Sequence, residues 1–253
     1  MTAVSDSERT DPVSGKVVRR VGAGVLYRND RFAHLYWQNL LAVDPANELS
    51  AEALIAEADR LFAGLAIRHL FVADARSADR LRPGFRDAGY KEVVLVTMLL
   101  RRPPDRRPPD RRPPAAELVE LSAAQLRPTV QAYAKSGSRD DDAVREMCRL
   151  KEELGRNGVR FLGAIVDGEV AGWCEVRGTE TRGQVEDVVV LEPFRGRGLA
   201  RALVGGAVER LRADGCDRIA VVADDNDTVK DLYRRLGFDD AGRSWSFWWP
   251  APW

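Results

Sequence analysis

The sequence predicts a mixed α/β chain built as two domains, and three stretches carry that reading. The first spans residues 185–203. There a β-branched run reads as a buried strand, Pro193 stops it, glycines alternate with arginines, and an apolar-periodic helix segment follows. The second is the order of elements after residue 115: helices, a hairpin, then strands alternating with helices. The third spans residues 101–114, where Arg-Arg-Pro-Pro-Asp recurs and the proline pairs deny both helix and ladder.

At 253 residues the chain is long enough for one large or two ordinary domains. Its formal net charge is zero, so nothing global steers it to nucleic acid or to an anionic membrane surface. The first ten residues are polar and lack an apolar core, so no secretory signal is read, and no apolar run reaches bilayer length. The three cysteines are far apart, which suits reduced thiols and a cytoplasmic location. The two histidines, His34 and His69, have no neighbouring ligand pattern, so no metal site is expected.

In chain order, residues 1–15 read as a disordered polar tail. Residues 16–28 and 32–43 read as the strands of a hairpin turned at Asn29-Asp30, with His34 a packed strand residue. Ser50 is placed to cap a helix whose Leu54, Ala58, Leu61, Phe62 and Leu65 share a face. A short strand over 69–72, a helix over 79–88 containing Pro83-Gly84, and a long apolar strand over 90–100 complete a first domain of residues 16–100. Residues 101–114 form a stiff spacer, roughly 40 Å when extended at about 3.1 Å per residue. Its arginines keep a soluble tether extended, and they also suit an acidic surface or a proline-reading module.

The second domain covers residues 115–253. Ser122 and Gln125 fit a capping box, and residues 139–156 form a charged helix with an apolar side, ended by Asn157-Gly158. Strands over 161–166 and 170–176 meet at the hairpin signal Asp167-Gly168. After the strand–loop–helix of residues 185–203 come a strand over 218–223, a helix holding Leu232, Tyr233 and Leu236, and the closing Gly237. An aromatic strand over 244–249 ends the chain; its Trp245, Phe247 and Trp249 read as core or domain interface.

A strand, glycine turn and helix start present unpaired N–H groups at the positive end of a helix dipole, which suits a phosphate or diphosphate. A P-loop requires Lys followed by Ser or Thr where Leu199-Ala200 stand, and a dinucleotide fingerprint requires a small residue where Arg201 stands. The remaining pattern, Arg195-x-x-Gly198-x-Ala200, resembles the diphosphate loop of the GNAT superfamily of acyl-CoA-dependent N-acetyltransferases. Asn226 with residues 232–238 resembles that family's second signature, and the order of elements is similar across residues 115–250.

This resemblance implies two GNAT-like domains, each a mixed, mostly antiparallel sheet flanked by helices, with the first truncated. Acetyl-CoA is then the cosubstrate and no metal takes part. Arg195, Gly196, Arg197, Gly198, Leu199, Ala200 and Arg201 would hold its diphosphate, and the backbone of Val188, Val189 and Val190 would pair with its pantetheine arm. Asn226 would reach that arm and Tyr233 would protonate the departing thiolate. Glu186 is the candidate base because it shares strand parity with Val188 and Val190, with a water relay as the alternative.

The first domain is similar more faintly. Residues 69–74 echo 219–224, Gly89-Tyr90 echoes Gly237-Phe238, and Phe85 stands where Tyr233 does. Residues 44–49 contain no glycine and two acids, so no diphosphate grip is expected there. The implied activity is acetyl transfer to a primary amine of a small molecule or peptide, by direct attack in a ternary complex. An acetyl-CoA-binding sensor without turnover is the alternative.

Overall fold

A computed structural model describes residues 9–103, 116–137 and 139–250. The chain forms two compact units, Met1–Leu95 with Arg243–Trp253, and Val96–Gly242. The start of the expected tail and all but residues 101–103 of the expected Arg/Pro spacer lie outside the described residues.

In the first unit the strands are β1 (Arg9–Thr10), β2 (Val17–Val21), β3 (Gly24–Arg28), β4 (Leu40–Val43), β5 (Arg68–Val72) and the start of β6 (Lys91–Leu100); the helices are α1 (Ala51–Leu61) and α2 (Ala75–Asp87). Neighbouring strands from β1 to β4 are antiparallel, whereas β4 and β5 run parallel. The last residues of the chain's final strand pair antiparallel with β5, Trp245 opposite Val72 and Trp249 opposite Arg68. Leu26, Leu41, Leu54, Leu70, Leu81, Phe85 and Phe247 fill the core. The Ser50 hydroxyl accepts from the Ala53 N–H at 3.2 Å, which starts α1 at the expected place.

Two expectations for this unit are corrected. Residues 9–15 are not the disordered tail that their polar composition predicts: Arg9 and Thr10 pair with Val18 and Val17, and Asp11 accepts from the N–H groups of Val13 and Ser14 in a turn. The hairpin expected at Asn29-Asp30 is instead turned between β2 and β3, and Asp30–Phe32 and Tyr36–Gln38 are short 3-10 turns. The physical reason is a side-chain amide. Asn39 Oδ1 accepts from the Asn29 N–H at 2.8 Å and Asn39 Nδ2 donates to the Phe32 carbonyl at 2.9 Å, so the loop's polar groups are satisfied without a ladder. His34 is therefore an exposed loop residue.

The second unit contains β7 (Glu117–Leu121), α3 (Ala123–Ser136), α4 (Asp141–Arg156), β8 (Arg160–Val166), β9 (Glu169–Thr179), β10 (Arg182–Val190), α5 (Leu199–Ala213), β11 (Arg218–Asp224), α6 (Val229–Arg235) and the start of β12 (Phe238–Trp249). Strands β7 to β10 are antiparallel neighbours and β11 joins β10 in parallel. Both halves of the predicted capping box at Ser122 and Gln125 form. The β8–β9 turn places Asp167 at φ 52° and Gly168 at φ 83°, the two left-handed residues a tight hairpin requires.

Helix α5 lies on one face of this sheet, sealed by Leu199, Leu203, Val204, Ala207 and Leu211 against Leu162, Cys174, Val176 and Val221. It comes close because Gly206 has no side chain: a Cβ there would sit 2.7 Å from Leu118 Cδ1. Helices α3 and α4 serve the other face, where α4 sends Lys151 to Glu175 and α3 sets Tyr133 against Trp173. Each unit is a mixed sheet with helices. Each also repeats one motif: antiparallel strands, a crossover helix to a parallel strand, a second helix and a further strand. Among the described residues no helix is long and apolar enough to cross a membrane, and no group of side chains has metal-ligand composition.

Candidate active site

In the second unit β10 and β11 pair from Arg182 opposite Arg218 to Val185 opposite Val221, yet β10 continues to Val190 and β11 to Asp224. Parallel neighbours that stop pairing while both continue leave backbone polar groups facing a slot. On its other side β10 stays paired with β9, with a bulge between Glu186 and Val189. Asp187 is the bulged residue and has a left-handed backbone, φ 50°. First-unit strands β4 and β5 differ here: their pairing runs to Val43 opposite Val72, the last residue of each.

The bulge corrects the parity argument for Glu186. With one extra residue in the strand, Glu186 lies opposite Glu175 and Val189 opposite Trp173, so Glu186 shares a face with Val189 and not with Val188. No glycine marks the bulge, which is why counting residues along the strand missed it.

Beyond Val190, Glu192–Phe194 make one 3-10 turn with Pro193 inside it. Gly196 at φ 72° and Gly198 at φ 80° then turn the backbone into α5, a path that a side chain at either position would strain. The first intrahelical bond of α5 runs from the Ala202 N–H to the Gly198 carbonyl at 3.1 Å. The amides of Leu199, Ala200 and Arg201 precede it, at the positive end of a helix of 15 residues. Two arginines of the loop have structural work as well: Arg195 Nε donates to the Val190 carbonyl at 3.1 Å, and the Arg197 guanidinium lies 5.4 Å from the Phe194 ring centre.

Asn226 is exposed at the tip of the loop after β11, its N–H donating to Asp224 Oδ1 at 2.8 Å. Lys230 bonds the Asp225 carboxylate and carbonyl and holds this loop against α6. Tyr233 on α6 is buried in the α5-side core beside Phe238, and burial pushes its phenol up to about 12. At that value it stays protonated through the neutral range.

Glu186 opens on the opposite face, toward α3 and α4. It accepts from Gln184 Nε2 at 2.5 Å and lies 3.1 Å from Arg177 Nη1. Partial burial raises its carboxyl above the ordinary value, against the pull of Arg177. The two predicted catalytic residues therefore lie on opposite faces of the sheet.

A charged network around Glu186 escaped the sequence reading. Lys151 of α4, almost wholly buried, bonds both Glu175 and Asp187, and Arg177 bonds Glu175 and pairs with Glu186. Burial alone would lower the Lys151 ammonium; Asp187 and then Glu175 outweigh it and raise it. Burial likewise would raise Glu175, but Lys151 and Arg177 hold it well below the usual carboxylate range. The network fixes Asp187, hence the bulge, hence where the slot opens. One signal was available: Lys151 interrupts the apolar stripe of Val144, Met147, Cys148 and Leu154 on α4, and a lysine there demands a buried anion.

Residues 120–238 match the sequence profile of the acetyltransferase (GNAT) family. The matched residues fall within the second unit, which has the GNAT fold. Solved structures share the fold over nearly the whole chain. A functionally unknown conserved protein from Staphylococcus epidermidis has TM-score 0.65 at 16% identity, over 97% of this chain and 94% of its own. A GCN5-related N-acetyltransferase from Kribbella flavida has TM-score 0.59 at 15% identity, over 92% and 90%. A tandem GNAT protein from the clavulanic acid biosynthesis pathway has TM-score 0.54 at 21% identity, over 95% and 84%.

Proposed function

We propose that this chain is an acetyl-CoA-dependent N-acetyltransferase that acetylates a primary amine by direct attack in a ternary complex. The observation that carries the reading is the slot between β10 and β11, continuous along β10 with the Gly196–Gly198 turn and the α5 helix start. Coenzyme A combines an arm of amide groups with a diphosphate. The first suits an unpaired strand edge and the second suits helix-start amides. Val188, Val189 and Val190 supply the edge, Asn226 flanks it, and residues 195–201 supply the diphosphate grip.

Acetyl-CoA brings an activated thioester. Attack on it requires a neutral amine, whereas alkylamines are protonated near neutral pH. Glu186, raised above the usual carboxylate value by burial, accepts that proton directly or through water. A backbone N–H of the β10 edge polarises the acyl carbonyl, worth about 3 kcal/mol for one donor. Tyr233, kept protonated by burial, gives its proton to the departing thiolate. The first unit acts without coenzyme: β4 and β5 leave no slot and Phe85 offers no hydroxyl.

Thiol release from acetyl-CoA, measured across a panel of alkylamines, peptides and aminoglycosides, tests this. Saturable turnover with at least one amine is expected. Coenzyme binding with no acceptor turned over would instead mark a binding protein.

A further inference from the structure

The first unit contains a cavity of about 530 Å³ between the β2–β3 hairpin and the last turn of α1. Val17, Leu26 and Leu61 supply its apolar walls. Arg19, Arg28, Arg31 and Arg60 also line it, against a single acidic residue, Asp30. The ladder explains the mixture: Val17 lies opposite Arg28 and Arg19 opposite Leu26, so one face presents apolar and cationic groups on alternate corners.

These cations are not equally committed. Arg28 reaches Asp30 at 2.6 Å and caps the Leu61 and Ala63 carbonyls at the end of α1. Arg60 is exposed and donates to both Glu57 oxygens, from Nε at 3.0 Å and from Nη2 at 2.7 Å. Arg19 is partly buried, and its guanidinium has no partner among the described residues. A half-desolvated cation without a counterion is unfavourable unless an anion joins it. The lining residues carry four positive charges and one negative, with Glu57 adjoining Arg60.

We propose that this cavity binds a small organic anion, a phosphate or carboxylate carried on a compact apolar group. Arg19 and Arg60 hold the anion, and Val17, Leu26 and Leu61 receive the apolar part. The volume is in the range of small-molecule sites, about 300–1,000 Å³. The cavity lies at the C-terminal end of α1, away from the Ser50 cap and residues 44–49 that correspond in order to the coenzyme loop. It is therefore a site separate from the acetyl-CoA reading and does not depend on it.

Calorimetric titration of the full chain with phenyl phosphate, benzoate and inorganic phosphate tests the proposal. At least one aromatic anion should bind saturably and more tightly than inorganic phosphate, and the preferred one identifies the anion class. Arg19→Glu should weaken that binding at least about tenfold, the scale of one charge-assisted contact replaced by a repulsion. Arg60→Gln should weaken it severalfold, and it decides the matter if Arg19→Glu fails to fold. Gly198→Glu, altered in the other anion-binding loop, should bind the probe as the parent does. Absence of saturable binding by either aromatic probe would overturn the proposal. So would unchanged affinity in the folded arginine variants, loss of binding in Gly198→Glu, or inorganic phosphate binding as tightly as phenyl phosphate.

Discussion

Replacing Lys151 with Met removes an ammonium and keeps the stem, so it isolates the charge that binds α4 to the bulge of β10. The Lys151 side chain is 8% exposed and its partners Glu175 and Asp187 are 2% and 32% exposed. Breaking a buried pair by removing one partner typically costs about 3–5 kcal/mol. Arg177 still serves Glu175, and Asp187 can turn to water, so the lower end applies, about 3 kcal/mol. For a unit of this size that is a fall in melting temperature of roughly 6–12 °C.

The pH dependence follows from the directions of the shifts. Glu175 is held below its ordinary 4.5, so its contribution is present above that value and lost as acid protonates the folded carboxyl. Lys151 is raised above its ordinary 10.5, so its contribution is present below that value and lost in alkali. Urea unfolding followed by tryptophan fluorescence should therefore show the full difference from about pH 5 to 10, shrinking toward pH 2. A difference under about 1 kcal/mol at pH 7, or one that persists unchanged in acid, would refute the reasoning.

Tyr233→Phe should leave coenzyme binding intact and cut turnover by about 10² to 10⁴, read by thiol release; unchanged turnover removes Tyr233 from the chemistry. The acid limb of kcat/KM should lie above the ordinary Glu value of 4.5, because burial raises Glu186, and Glu186→Gln should abolish that limb. Gly172→Ala should weaken coenzyme binding at least about tenfold and destabilise the unit by about 1–3 kcal/mol. Its Cβ would fall 2.5 Å from the Val189 carbonyl oxygen, so the β10 edge must move. Gly205→Ala meets no atom within 4 Å on helix α5 and should instead stabilise by up to about 1 kcal/mol in thermal melts.

Features encoded by neighbouring residues were legible in the sequence. The Ser122 capping box, the Asp167-Gly168 hairpin, the Pro193 stop and the glycine entry into α5 each depend on a few adjacent positions whose backbone requirements are distinctive. Features encoded by distant partners were not. The Asn29-Asp30 hairpin gave way to a loop because Asn39, ten residues on, supplies the hydrogen bonds. The bulge at Asp187 is fixed by Lys151 on another helix, and Asp187 stands inside a β-branched run with no glycine beside it to mark a left-handed backbone. Strand β12 begins at Phe238 and not near residue 244, because Asp239, Asp240, Gly242 and Arg243 break the apolar pattern although their backbone is in the ladder. The candidate site followed the same division: the glycine loop of residues 195–201 was readable as a motif, while the slot and the charged network needed the register.

The central claim is that residues 195–201 and the open edge of β10 grip coenzyme A, and calorimetric titration with CoA tests it most directly. The parent chain should bind one equivalent saturably, and Gly198→Glu should not bind, since its side chain adds a like charge to a left-handed turn at φ 80°. No saturable heat with the parent chain, or equal affinity in the folded Gly198→Glu variant, would contradict the account.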